Sequence, residues 1–191
     1  MTNDDRRVRD AARTRSVILA EARRQFATAG YSATVRGIAT AAGVSPNLIT
    51  RYFGGKDGLF LAATQTRLRL EQVLAGPVES LGERLADGIV RRWTADVGDD
   101  PLLVLQRASG ERPEAARALT EFLDRESIQP LTEQLRSYGY SPTEAARRAA
   151  AVDAFVLGVS TRRRVLTDDI GDHTELRDWL AAAIQSLVES S

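Results

Sequence analysis

The sequence predicts an all-α protein in two parts, a small basic amino-terminal region followed by a longer acidic helical body. Three observations carry that expectation. Apolar residues recur at helical spacing along the chain, and no segment shows the alternating, β-branched pattern of a half-buried strand. Five of the six prolines (Pro46, Pro77, Pro101, Pro113 and Pro142) stand just ahead of helix-like patterns, where a missing N–H costs nothing. Only Pro130 lies inside such a pattern, which it should kink or divide. Charge is split in the same way. Residues 1–75 carry 12 basic and 6 acidic side chains, a net of +6, and residues 76–191 carry 14 and 20, a net of −6.

Each element has its own justification. A first helix is expected from about Thr14 to Ala29, with Ile18, Ala22 and Phe26 at i, i+4 and i+8 and Gly30 as its left-handed stop. The arginine-rich arm before it (five arginines by Arg15) is expected to be disordered in the free protein, or to enter a minor groove. A second helix opens at Thr34 as N-cap, buries Val35, Ile38, Ala39 and Ala42, and ends at Gly43. A third takes Ser45 as N-cap and Pro46 as first residue and runs to about Phe53. Gly54 and Gly55 break it. A fourth is expected from Lys56 or Asp57 to about Leu74, with later helices over about 77–95, 101–109, 113–138, 142–166 and 173–189. Ser141-Pro142-Thr143-Glu144 is a capping box that fixes the start of the penultimate one.

Composition removes several function classes. There is no cysteine, which excludes a disulfide framework, a thiol nucleophile, a thiolate zinc site and an iron–sulfur cluster. The single histidine, His173, excludes any site that needs two imidazoles and argues against a Ser-His-Asp enzyme. No cofactor or metal is called for. No apolar run is long enough to cross a membrane and no signal-peptide pattern stands at the start, so a cytoplasmic protein without a membrane partner is expected.

The constellation that carries chemistry is Thr34 to Phe53, two short helices joined by Gly43-Val44-Ser45. A tight glycine-containing turn between helices of this length is helix-turn-helix geometry. Val35, Ile38, Ala39, Val44, Ile49 and Phe53 would set the angle between the helices. Pro46, Asn47, Thr50 and Arg51 would then be free to enter a major groove. From geometry alone, an ordinary helical hairpin in a bundle remains the alternative.

The residues here resemble the TetR/AcrR family of bacterial transcriptional regulators. The resemblance spans roughly residues 14–62: Ile18-Leu19-Ala20-Glu21-Ala22, Phe26, Gly30-Tyr31, Thr34-Val35-Arg36-Gly37-Ile38-Ala39, Ala42-Gly43-Val44-Ser45, Ile49, Tyr52-Phe53 and Lys56-Asp57-Gly58-Leu59, in register without a gap. Beyond that span only length, helix count and a final pair of long helices resemble the family. The resemblance implies a DNA-binding domain of residues 1–56 and an effector-binding and dimerisation domain of residues 57–191. It implies that Thr34 meets phosphate, Arg36 a guanine or phosphate, and that Ser45 caps the recognition helix and touches the DNA backbone. Pro46, Asn47 and Leu48 lie where the family reads bases, with Asn47 suited to adenine and Leu48 to a thymine methyl. Thr50, Arg51 and Tyr52 would share phosphate and base-edge contacts, and Lys56 would pair with phosphate at the start of the fourth helix. Leu48 could instead pack beside Ile49, and Tyr52 could be a half-buried ring on the fourth helix. Two positions depart from the family pattern. Gly37 stands where an acidic residue usually completes a capping box, and Thr50 where tyrosine is usual.

For the body, the resemblance implies a homodimer on a palindromic double-stranded DNA operator and a small-molecule effector. The last two helices would dimerise through Ala149, Val152, Val156 and Val159 on one and Trp179, Ala182, Ala183 and Leu187 on the other. Trp93, Leu103, Phe122 and Phe155, with Arg107 as polar anchor, are the candidates for a largely apolar ligand pocket. Arg162-Arg163-Arg164 is expected to be a solvated cluster at a helix end, and His173 a surface residue. The function expected is a ligand-released repressor, in which a pendulum-like fourth helix moves two reading heads out of register. A regulator governed by a protein partner, or by nothing, is the alternative. A helical enzyme would need a carboxylate or arginine site, and no convergent motif for one is present.

Overall fold

The computed structural model describes residues 3–64, 67–94, 100–166 and 172–189. Among them every regular element is helical, as the sequence predicts. The chain divides into two compact units, Met1–Thr66 with Asp96–Arg112, and Arg67–Ala95 with Pro113–Ser191.

The first unit contains α1 (Asn3–Ala29), α2 (Val35–Ala41), α3 (Pro46–Phe53), α4 (Lys56–Thr64) and α7 (Pro101–Ser109). Helix α1 runs back to Asn3, which overturns the expected start near Thr14 and the expected disordered arm. Residues 3–13 contain no glycine or proline to stop the helix. The Thr14 and Ser16 hydroxyls bond back to the Asp10 and Ala12 carbonyls, at 2.8 and 3.0 Å, as they do in a helix interior. The core is built where the apolar stripe predicts. Ile18, Ala22 and Phe26 of α1 are fully buried, as are Ile38 and Ala39 of α2 and Ile49 of α3. Phe26 meets Phe60 of α4 edge-on at 5.1 Å. From α7, Leu103, Val104 and Leu105 complete this core. The compact division therefore falls later than residue 56 and takes in a second stretch of chain.

Helix α4 is short. The single fourth helix expected over 56–74 is instead α4 and a separate turn, α5 (Glu71–Leu74), which removes a continuous pendulum helix. Between them Arg69 adopts a left-handed φ of 52°, and the Leu68 N–H donates to the Glu126 carboxylate at 3.3 Å rather than to a helical carbonyl.

The second unit contains α5, α6 (Leu81–Thr94), α8 (Pro113–Leu123), α9 (Gln129–Ser137), α10 (Pro142–Ser160) and α11 (His173–Glu189). A π-helical turn over Asp124–Ile128 separates α8 from α9, whose first turn holds Pro130, so the expected division of that pattern is present. The capping box at the head of α10 forms: Ser141 Oγ accepts from the Glu144 N–H at 3.3 Å and donates to the Glu144 carboxylate at 2.9 Å. Helix α10 passes into a second π-helical turn at Thr161–Val165, which places Arg164 in the interior. That corrects the expectation of a fully solvated arginine cluster. His173 is exposed, as expected.

Helices α6 and α11 form the tightest pair in this unit. A methyl group at Gly82 would collide with the Ala181 carbonyl and lie 2.9 Å from Gln185 Cβ, so only glycine permits the approach. Gln185 seals the contact by accepting from the Gly82 N–H at 2.8 Å and donating to the Val78 carbonyl at 3.0 Å. Leu81, Leu85, Leu180 and Ile184 fill the core between the two helices.

Candidate nucleic-acid interface

The reading head is built from short-range rules. Thr34, in extended conformation, accepts the Gly37 N–H at 3.0 Å and so caps α2. A side chain at Gly37 would crowd that cap, since a Cβ there would lie 3.1 Å from the Thr34 hydroxyl and 3.3 Å from Gln25 Oε1. The turn closes through Gly43, at φ 66°, and through a bond from the Val44 N–H to the Ala39 carbonyl at 2.9 Å. Ser45 occupies the N-cap position of α3, but its hydroxyl makes no capping bond. The role expected of it is therefore met by backbone conformation and by Pro46 rather than by its side chain. Gly54, at φ 74°, ends α3 and donates to the Thr50 carbonyl at 2.9 Å. Gly58 lets α4 abut that end, because a methyl group there would sit on the Phe53 carbonyl.

On this frame Ile49 and Phe53 point inward, and Pro46, Asn47, Thr50 and Arg51 stand exposed along α3. Leu48 and Tyr52 are half-buried. Arg51 lies over the Tyr52 ring, 5.1 Å from its centre, and Nη2 donates to the tyrosine hydroxyl at 3.4 Å. Arg15 of α1 lies 5.1 Å over the Phe53 ring and backs the far end of α3. Thr34 and Arg36 are exposed at the start of α2.

Lys56 sits half-buried at the head of α4, with Nζ 4.3 Å from the centre of the Tyr31 ring. Burial lowers its affinity for a proton, Arg112 lowers it further, and Asp57 partly offsets both. Reading the sequence missed this surrounding cluster. Tyr31 and Asp57 stand in the matching blocks without a role, and Arg112 lies far along the chain with no local signal.

The five residues expected to bind a ligand are divided between the two units. Leu103 and Arg107 belong to the first unit, where Leu103 is core and Arg107 donates to the Ala27 carbonyl and, at 3.5 Å, to that of Thr28. Trp93, Phe122 and Phe155 belong to the second. There Phe122 is buried, and Trp93 and Phe155 pack against the core. The second unit contains cavities of about 560 Å³ and 350 Å³, and none of the five lines either one. The larger is bordered by Arg67, Arg69, Arg125, Glu126 and Glu133 beside Leu70 and Leu74, a charged lining where an apolar one was expected.

Two family models match. Bacterial regulatory proteins of the tetR family match over residues 18–63, and the tetracyclin repressor-like C-terminal domain matches over residues 79–188. The chain belongs to the TetR family. It is thus a DNA-binding transcriptional regulator, and not an enzyme. The TetR family likeness extends to the HTH-type transcriptional regulator BetI of Stenotrophomonas maltophilia, 42% identical over 69 residues. That alignment covers 36% of this chain and spans only 28% of the relative's length. Among solved structures, the fatty acid degradation regulator FadR of Bacillus halodurans superposes with a TM-score of 0.71 at 24% identity, covering 90% of this chain and 94% of that one. NalD of Pseudomonas aeruginosa, the secondary repressor of the MexAB-OprM multidrug efflux pump, superposes with a TM-score of 0.60 at 24% identity, covering 89% and 95%. These two likenesses establish the fold. Among the described residues no helix is long and apolar enough to cross a membrane.

Proposed function

We propose that the protein is a homodimeric repressor of a palindromic operator, released from it by a small-molecule effector. Residues 1–56 read DNA and residues 57–191 dimerise and bind the effector, with α4 and α7 completing the core beneath the head. The base-reading positions are Pro46, Asn47 and Leu48, and Thr50, Arg51 and Tyr52 share phosphate and base-edge contacts. Thr34, Ser45 and Lys56 hold the DNA backbone, and Arg36 reaches a guanine or a phosphate. One head makes too few contacts for tight selective binding, and half-sites about 34–36 Å apart call for a symmetric pair.

The observation that carries the dimer is the outer face of α10 and α11. Trp179 is 46% exposed and tilts against Phe155 at 5.3 Å, with small Gly158 and Ala182 exposed one turn beyond each. A tryptophan so uncovered on a face of small residues suits a second copy of the same face. The wider stripe expected from the sequence is narrower here, because Ala149, Val152 and Val159 are spent on the chain's own core. The cavity of about 560 Å³ supports an effector that carries charge. The likeness to NalD supports repression as the sign.

Fluorescence anisotropy on the duplex upstream of the protein's own gene, against a scrambled duplex, tests this reading together with light scattering. Two protomers per selective site are expected. Trp179→Arg should give monomers that lose selectivity. Full affinity with one protomer bound, or an unchanged dimer in Trp179→Arg, overturns it.

A further inference from the structure

We infer that Arg112 is a positioning residue for DNA binding: it holds Tyr31 and Asp57 so that the Lys56 ammonium, at the head of α4, is left for a DNA phosphate. The four side chains form one cluster within the first unit. The Arg112 guanidinium carbon lies 3.6 Å from the centre of the Tyr31 ring, and Lys56 Nζ lies 4.3 Å from the same centre. The Tyr31 hydroxyl donates to the Asp57 carboxylate, and Arg112 Nη2 lies 3.6 Å from the same carboxylate oxygen. One ring therefore orders two cations, and one carboxylate fixes the ring.

Charge explains why the arginine is needed. Asp57 is the chain neighbour of Lys56 and its nearest competitor for a phosphate. With Arg112 beside it, that carboxylate has another partner. Arg112 also disfavours the charged lysine, a penalty that an approaching phosphate would relieve. Stability does not account for the arrangement. The Asp57 side chain is 78% exposed, and ion pairs at such sites contribute little to folding. Placement of Lys56 is what the cluster does.

This inference rests on Lys56 meeting phosphate, so the test separates the two. Binding of the full chain to the upstream and scrambled duplexes is followed across roughly 50–200 mM salt, where each phosphate contact contributes about 0.9 to the slope of log affinity against log salt. Either duplex serves, because such a contact is indifferent to sequence. Lys56→Ala should lower the slope by about 0.9 per bound protomer. Arg112→Gln should lower it equally, and the double variant no further. Adding Asp57→Asn to Arg112→Gln should restore the slope, since the lysine then has no neighbouring carboxylate to pair with. Arg112→Lys, which keeps the charge, should stay close to the parent. If Lys56→Ala changes the slope and Arg112→Gln does not, or if their losses add, Arg112 has no positioning role. A slope unmoved by Lys56→Ala removes the phosphate contact and this inference with it. Melting curves identify any variant that has lost its fold, and the Asp57→Asn rescue then decides between placement and structure.

Discussion

The reading head and the helical body are held together over very different chain distances. In the head, Thr34 caps the N–H of Gly37, Gly43 and Gly54 turn the chain at left-handed φ, and Pro46 starts α3, each a signal only a few residues long. In the body, Gln185 ties to Gly82 and Val78 across 103 and 107 positions, and Arg177 pairs with Asp87 across 90 at 2.8 Å. A fold written in caps, glycines and prolines can be read from a short stretch of sequence. One written in distant side-chain-to-backbone ties cannot, even though both yield well-packed helices.

Two glycines put this comparison at its largest scale. Gly58 admits the Phe53 carbonyl in the head, and Gly82 admits the Ala181 carbonyl in the body. Substituting either by alanine should cost about 3 kcal/mol, the upper end for forcing atoms into a filled space. The consequences should differ. Gly82→Ala should lower stability in chemical denaturation through the α6–α11 contact. Gly58→Ala should, in addition, unseat α3 and abolish DNA binding in whatever fraction stays folded. Retained affinity in Gly58→Ala would mean that α3 does not depend on the head of α4 for its position.

The exposed face of α3 sharpens the same contrast from the other side. Asn47 and Arg51 are uncovered, so their loss should leave stability within about 0.5 kcal/mol of the parent. Asn47→Ala or Arg51→Ala should weaken selective binding by about 1–3 kcal/mol while leaving the dimer alone. Anisotropy and light scattering on one preparation separate these effects. Loss of dimer and of DNA binding in equal measure from Asn47→Ala would contradict a reading role.

How legible the molecule was follows from these distances. The helices from Thr34 to Phe53, the capping box at Ser141 and the division at Pro130 were readable because each depends on a signal a few residues long. The reach of α1 back to Asn3 was missed because a serine or threonine can cap a helix or bond back within one. Its hydroxyl chemistry looks the same from sequence. The break between α4 and α5 was missed because its cause includes Glu126, 58 positions from Leu68. Among the site residues, those on α2 and α3 could be placed by helical spacing, whereas Arg112 reaches Tyr31 and Asp57 only through the packing of α7. The ligand candidates had no comparable local signal, since bulky apolar residues are what any helical core requires.

The smallest expected effect concerns a charge that the body holds against its preference. Asp153 of α10 is half-buried, and burial raises its pKa, with a hydrogen bond to Ser127 pulling only partly the other way. The folded chain therefore holds this proton more tightly than the unfolded chain does. The contribution of Asp153 to stability is greatest at acid pH and declines as pH rises through the ordinary carboxylate range, near 4, towards the raised folded value. Near neutral pH the ionised group is a net cost. Asp153→Asn keeps the shape and a partner for Ser127 while removing the charge, so it should melt at a higher temperature than the parent at pH 7. The gain should shrink as pH falls through the ordinary carboxylate value, near 4, and vanish well below it, where the parent carboxyl is neutral in both states. A gain independent of pH would point to packing rather than charge. A loss at every pH would mean that the carboxylate's hydrogen bond with Ser127 outweighs the cost of burying its charge, so that this long-range tie within the body, and not the titration, sets the contribution of Asp153.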